Sequence, residues 1–89
     1  MGTAGIKIKI MPSSPDTDLE EIQEKAKTLV EAKGGRNREY EIQPIAFGLN
    51  AIIAFFEWPE EQELDSIEEE FRNIENVNSV QVIDMRKID

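Results

Sequence analysis

Two stretches of this chain pass through the same succession of events. In the first, "IKIKIM" alternates apolar and charged residues. Pro12 then interrupts it, and Asp18 follows six residues later at the head of the acidic helical pattern "DLEEIQEKAKTLVEA". In the second, "AIIAFFEW" is dense in strand formers. Pro59 interrupts it, and Asp65 follows six residues later at the head of "DSIEEEF". A strand period giving way twice to a helical one marks a repeated β-α unit.

The remaining segments complete the pattern. Ile6, Ile8 and Ile10 point one way along the first strand, and Lys7 and Lys9 the other. Thr17 or Asp18 can cap the first helix, with Glu20 or Glu21 completing a capping box. Leu19, Ile22, Ala26, Leu29 and Val30 form its apolar face, and Gly34-Gly35 stops it. "RNREYEIQ" is a second strand with Tyr40 and Ile42 inward, and "LNAIIAFFEW" a third, apolar on both faces as a central strand requires. A helix over roughly 64–75 carries Leu64, Ile67, Phe71 and Ile74, and "NSVQVIDMRKI" is the fourth strand. The order β-α-β-β-α-β predicts an α+β, ferredoxin-like sandwich, with two helices on one face of a four-stranded antiparallel sheet of order 4-1-3-2. Strand one is then central, with its lysines on the face without helices. With 89 residues, a single domain over 1–89 is expected.

Composition narrows the chemistry. There is no histidine or cysteine, which removes the commonest general base, the thiol nucleophile and the usual transition-metal ligands. No catalytic residue, metal ligand or cofactor is expected. "MPSSPDTD" after strand one lacks the arginine that an anion-binding hydrolase loop would need, and Gly34-Gly35 follows a helix rather than opening one. The net charge is −9, and residues 57–75 concentrate it, with nine acidic residues against Arg72 alone. Phosphate neutralisation needs a basic surface, so no direct nucleic-acid partner is expected. RNA-recognition modules share this topology, but Phe55 and Phe56 are adjacent and must face opposite ways. No apolar run is long enough for a membrane span or a secretory leader, and the cysteine-free composition suits the cytoplasm.

Two features remain. "QPIAFGLNA" joins the second and third strands, where Asn, Asp or Ser would be ordinary. Phe47 there is either a plug folded over the end of the sheet or an outward anchor, with Pro44 stiffening the approach and Gly48 turning the chain. At the C-terminus, Arg86 and Lys87 are either solvated charges on a fraying end or flexible cations able to enter an anionic site.

"PIAFGL", the first junction "IKIMPSSPDTDLEEI" and the terminal "SVQVIDMRK", in this order and spacing, resemble the archaeal elongation factor 1-beta family and the exchange domain of its eukaryotic counterpart. The resemblance spans essentially the whole chain. It implies a guanine-nucleotide exchange factor, without bond chemistry, that promotes GDP release from the GDP-bound GTPase elongation factor 1-alpha in translation. Phe47 matches the family's aromatic that packs on the GTPase, and Lys87 the near-terminal lysine that reaches toward its magnesium and phosphate site. Asn50 stands where the family often has a lysine, and "GTAG" replaces a more hydrophobic strand start. The alternative reading is a small regulatory or RNA-binding domain that shares only the topology. A monomer is favoured, although the edge strand over 38–43 could pair with another chain. Phe47 and Lys87 should lie at opposite ends of the sheet, ~20–25 Å apart at the strand rise.

Overall fold

The computed structural model describes residues 2–88, and Met1 and Asp89 lie outside that range. The elements are β1 (Thr3–Pro12), α1 (Leu19–Ala32), β2 (Arg36–Pro44), β3 (Asn50–Pro59), α2 (Leu64–Arg72) and β4 (Val77–Lys87). The strands form one sheet of order β2-β3-β1-β4, with every neighbouring pair antiparallel. This is the ferredoxin-like α+β arrangement that the split repeat predicts. β1 begins at Thr3, so the glycine-rich start does not delay the strand.

Strand parity divides the sheet into two faces. Ile6, Ile8 and Ile10 of β1 and Ile52, Ala54, Phe56 and Trp58 of β3 are buried in one core with Ile22, Ala26 and Val30 of α1 and Ile67 and Phe71 of α2. Phe56 meets Trp58 and Phe71 edge-on, with ring centroids 5.9 and 6.1 Å away. Each such contact adds roughly 0.5–1.5 kcal/mol beyond the area it buries. The alternate residues, Lys7, Lys9, Ile53 and Phe55, fall on the face that carries no helix, and the Lys7 ammonium lies 5.6 Å from the Phe55 ring centroid.

Local chemistry sets the helix ends. The Asp18 carboxylate accepts from the backbone N–H groups of Glu20 and Glu21 at 3.1 and 3.3 Å. The reciprocal half of a capping box is not made, because the Glu21 carboxylate turns instead to Lys25, 3.1 Å away one turn on. At the other end Gly35 N–H donates to Val30 C=O and Gly34 N–H to Glu31 C=O, with Gly34 at φ +87°. That pair of bonds is a Schellman motif, which needs a left-handed residue and so favours glycine. The repeat is looser in the second unit. α2 is capped at Glu63 with no side-chain bond, so Asp65 lies inside the first turn, and the helix ends at Arg72, short of the expected boundary near 75.

The edge strand β2 is tied to α1 through Asn37. Its side-chain amide donates to Lys27 C=O at 3.1 Å and to the Glu31 carboxylate at 3.3 Å. The Tyr40 hydroxyl donates to Asn37 Oδ1 at 2.7 Å, and the Lys27 ammonium lies 5.2 Å from the tyrosine ring centroid. Burial first, and the Glu31 carboxylate second, push the Tyr40 phenol well above its ordinary range. Ile42, expected inward, pairs with Ile52 but stays 45% exposed, because an edge-strand residue has covering neighbours on one side only. No helix among the described residues is long and apolar enough to cross a membrane.

Candidate functional site

The β2–β3 connection begins where Pro44, the last residue of β2, pairs with Asn50, the first of β3. Ile45 N–H donates to Leu49 C=O at 2.9 Å, and Leu49 N–H donates to Ala46 C=O at 2.9 Å. The second bond closes a four-residue turn whose central residues, Phe47 and Gly48, have φ of +55° and +79°. Two consecutive positive φ values are the signature of a type I′ turn, which normally places Asn, Asp or Gly at its first central position. A phenylalanine there is strained by about 1–2 kcal/mol, because its Cβ crowds the following carbonyl.

That strain is not offset by packing. Phe47 is 96% exposed, which excludes the core plug and leaves the ring facing outward. Ile45 and Ile42 are also exposed nearby, so the tip is apolar over more than one side chain. Gly48 supplies the second left-handed residue and has room around it, since an added Cβ would come no closer than 3.7 Å to Pro15. Its role is conformational.

At the opposite end, β4 runs out along β1. Ala4 pairs with Lys87, Gly5 with Arg86, Ile6 with Met85 and Lys7 with Asp84, but Ile8 pairs with Val82. One extra residue, Ile83, is therefore inserted in β4 as a β-bulge. The insertion reverses parity downstream. Val80 and Val82 face the helices, and after the bulge Met85 and Lys87 take that face while Asp84 and Arg86 take the open one. Lys87 and Met85 accordingly border a recess with Ala4, Trp58, Glu60 and Leu64. Without the bulge Lys87 would lie on the other side of the sheet. The sequence does carry the signal, in the slip of the apolar alternation from Val80 and Val82 to Ile83 and Met85.

The two cations differ in their surroundings. Arg86 Nε lies 3.2 Å from the Asp84 carboxylate. Lys87 makes no ion pair among the described residues and is exposed. The strand pairing continues past it, with Ile88 N–H donating to Thr3 C=O at 2.9 Å. The sequence left this end unpaired, and the structure pairs it with β1 through residue 88. Among the described residues no group of carboxylates is placed to hold a metal ion.

The structure does not bring Phe47 and Lys87 together. Lys87 shares its row with Ala4 and Trp58, while Asn50 begins β3 at the far end. Eight residues at the strand rise separate these rows by about 26 Å, and the turn carrying Phe47 extends further. The molecule measures 42 Å along its longest axis, so this spacing takes up more than half of that length. The separation reaches beyond the 20–25 Å expected, since the turn projects past the sheet.

Comparison with known proteins gives a consistent result. Residues 5–88 match the family described as the EF-1 guanine nucleotide exchange domain. An elongation factor 1-beta of Archaeoglobus fulgidus is 43% identical over 86 residues, covering 96% of this chain and 97% of that protein. One of Methanosarcina barkeri is 42% identical over 89 residues, covering 99% and 100%. Among solved structures, the C-terminal domain of the MgtC protein from Mycobacterium tuberculosis superposes with a TM-score of 0.74 at 9% identity, covering 98% of this chain and 89% of that one. The ACT domain of a GTP pyrophosphokinase from Chlorobium tepidum gives 0.63 at 11% identity, over 89% and 96%. These two likenesses concern the fold alone.

Proposed function

The chain belongs to the EF-1 guanine nucleotide exchange domain family, and from that premise we propose that it promotes GDP release from elongation factor 1-alpha. In this reading Phe47, set by Pro44 and Gly48, anchors the factor on the GTPase, and Lys87, with Arg86 beside it, acts at the nucleotide site. The observation that carries the proposal is the Phe47 turn. A large aromatic held almost fully exposed in a strained backbone conformation lowers the stability of the free protein, and a partner's pocket is what recovers that loss.

The chemistry follows from charge. Magnesium and a phosphate-binding loop hold a nucleotide diphosphate by concentrated electrostatics. An ammonium brought into that region competes with the cation for the same oxygens. Two unit charges 4 Å apart at an effective dielectric constant of about 20 interact by about 4 kcal/mol, so partial competition is enough to weaken the nucleotide by tenfold or more. Lys87 suits this role better than Arg86, whose charge already has Asp84 as a partner. Linkage makes the effect reciprocal: a factor that weakens GDP in the complex is itself weakened by the incoming nucleotide, and so is released. Because the anchor and the cation lie at opposite ends, the footprint runs along the length of the sheet. The factor works as a monomer in the cytoplasm, and no bond is made or broken.

The test is release of a fluorescent GDP analogue from elongation factor 1-alpha, alone, with this protein, and with its Lys87→Ala and Phe47→Ala variants. Acceleration by the wild type is expected, with Lys87→Ala losing the maximal rate and Phe47→Ala raising the concentration needed. No acceleration by the wild type overturns the proposal.

A further inference from the structure

Gly5 is the third residue of the central strand β1, where a glycine forgoes side-chain packing and commonly marks a close approach by another group. Here the approaching group is the C-terminus. A Cβ built on Gly5 would lie 3.2 Å from Ile88 Cδ1, 3.4 Å from Ile88 Cγ1 and 3.3 Å from Phe55 Cε1. The isoleucine thus lies over the glycine on the helix-free face, with the Phe55 ring as a side wall. Gly5 is buried on a face that has no helix to cover it, and Ile88 itself remains 52% exposed.

The seat is matched by a backbone bond. Lys87 is fixed before by its pairing with Ala4, and after by the Ile88 N–H bond to Thr3 C=O at 2.9 Å. We propose that Ile88 and its glycine seat form a clasp that holds the Lys87 backbone in one orientation, making Ile88 and Gly5 positioning residues for exchange; the inference rests on the proposed exchange function. A lysine at a frayed end would have to lose backbone as well as side-chain freedom on entering an anionic site. A clasped one loses only the side-chain part, which is the advantage of preorganisation. Together with the bulge at Ile83, the clasp determines both the face and the direction from which the ammonium leaves the sheet.

The experiment uses the full chain and the variants Ile88→Ala, Ile88→Pro, Ile88→Val and Gly5→Val. Ile88→Pro removes the N–H donor, Gly5→Val fills the seat, and Ile88→Val keeps both the bond and most of the side chain. Amide hydrogen exchange on the free wild type reads the clasp without any GTPase, and the Ile88 amide should be protected. In GDP-analogue release, Ile88→Ala, Ile88→Pro and Gly5→Val should lower the maximal acceleration by about five- to thirty-fold, the factor for re-ordering one residue's backbone. Their half-saturating concentration should hold, because the Phe47 end is untouched, and Ile88→Val should behave as wild type. A clasp variant with the full maximal rate, or an unprotected Ile88 amide, overturns the inference while leaving the exchange reading intact if Lys87→Ala remains inactive. So does a loss of rate that tracks a loss of melting temperature. A wild type that gives no acceleration overturns both.

Discussion

Replacing Phe47 by asparagine should make the protein more stable and less functional at once. The free protein loses almost nothing in burial, since the ring is 96% exposed. It gains in backbone energy, because asparagine tolerates the left-handed region that the turn demands at φ +55°. Relief of part of the strain is worth about 0.5–1 kcal/mol, or roughly 2–8 °C in melting temperature for a domain of this size. Binding moves the other way. Burying a phenylalanine side chain in a partner is worth about 1.5–3 kcal/mol, so its loss should weaken the complex by roughly 10- to 150-fold. Thermal unfolding by circular dichroism gives the first number, and titration of GDP-analogue release against factor concentration gives the second. The half-saturating concentration should rise while the maximal acceleration survives. A fall of several degrees in melting temperature would refute the reasoning, because it would mean that Phe47 packs on its own fold. Unchanged half-saturation would refute its role as an anchor.

Other perturbations probe the frame that holds these two ends. Gly35→Ala should destabilise by about 1–3 kcal/mol, because an added Cβ would meet Val30 Cγ1 at 2.8 Å and Glu57 C=O and Trp58 Cε3 at 3.0 Å; denaturant unfolding should show a lower midpoint at unchanged slope. Asp18→Ala removes two N-cap bonds and should cost about 1 kcal/mol, with Asp18→Asn recovering most of it. Tyr40 is the sole tyrosine, so phenolate absorbance reports it directly. The unfolded chain ionises it near the ordinary value of about 10, whereas the folded chain keeps it neutral to higher pH. The raised folded value means that this contribution to stability is complete below about pH 10 and declines as pH rises above it. A folded protein whose phenol titrates at the ordinary value would contradict the burial.

The order and type of the elements were legible because local signals agreed with one another. Alternation at Ile6, Ile8 and Ile10, the helical stripe of Ile22, Ala26 and Val30, and the stop at Gly34-Gly35 each report on residues within a turn or two. The opposite facing of Phe55 and Phe56 follows from strand geometry alone. The location of an anomalous turn at "IAFGL" was equally visible, since a phenylalanine beside a glycine departs from ordinary turn chemistry. That the turn is strained, and that its ring points outward, depended on φ values and on what covers the tip, neither of which a residue type specifies.

The C-terminal end shows the limit most clearly. Sequence identified Arg86 and Lys87 as cations close to the chain end, preceded by a slip of the apolar alternation from Val80 and Val82 to Ile83 and Met85. Arg86 is neutralised by Asp84, only two residues before it, but the face each cation takes was decided by pairing with β1, far away in sequence. A single inserted residue at Ile83 exchanged the faces of Arg86 and Lys87, because side-chain direction in a strand has a period of two and one extra residue inverts everything after it. Gly5, more than eighty residues away, provides the space in which Ile88 lies. Local sequence carries propensity and period, which determined the elements. Register and close approach arise only between strands brought together by folding, and for this protein they decided where the charge at the end of the sheet points.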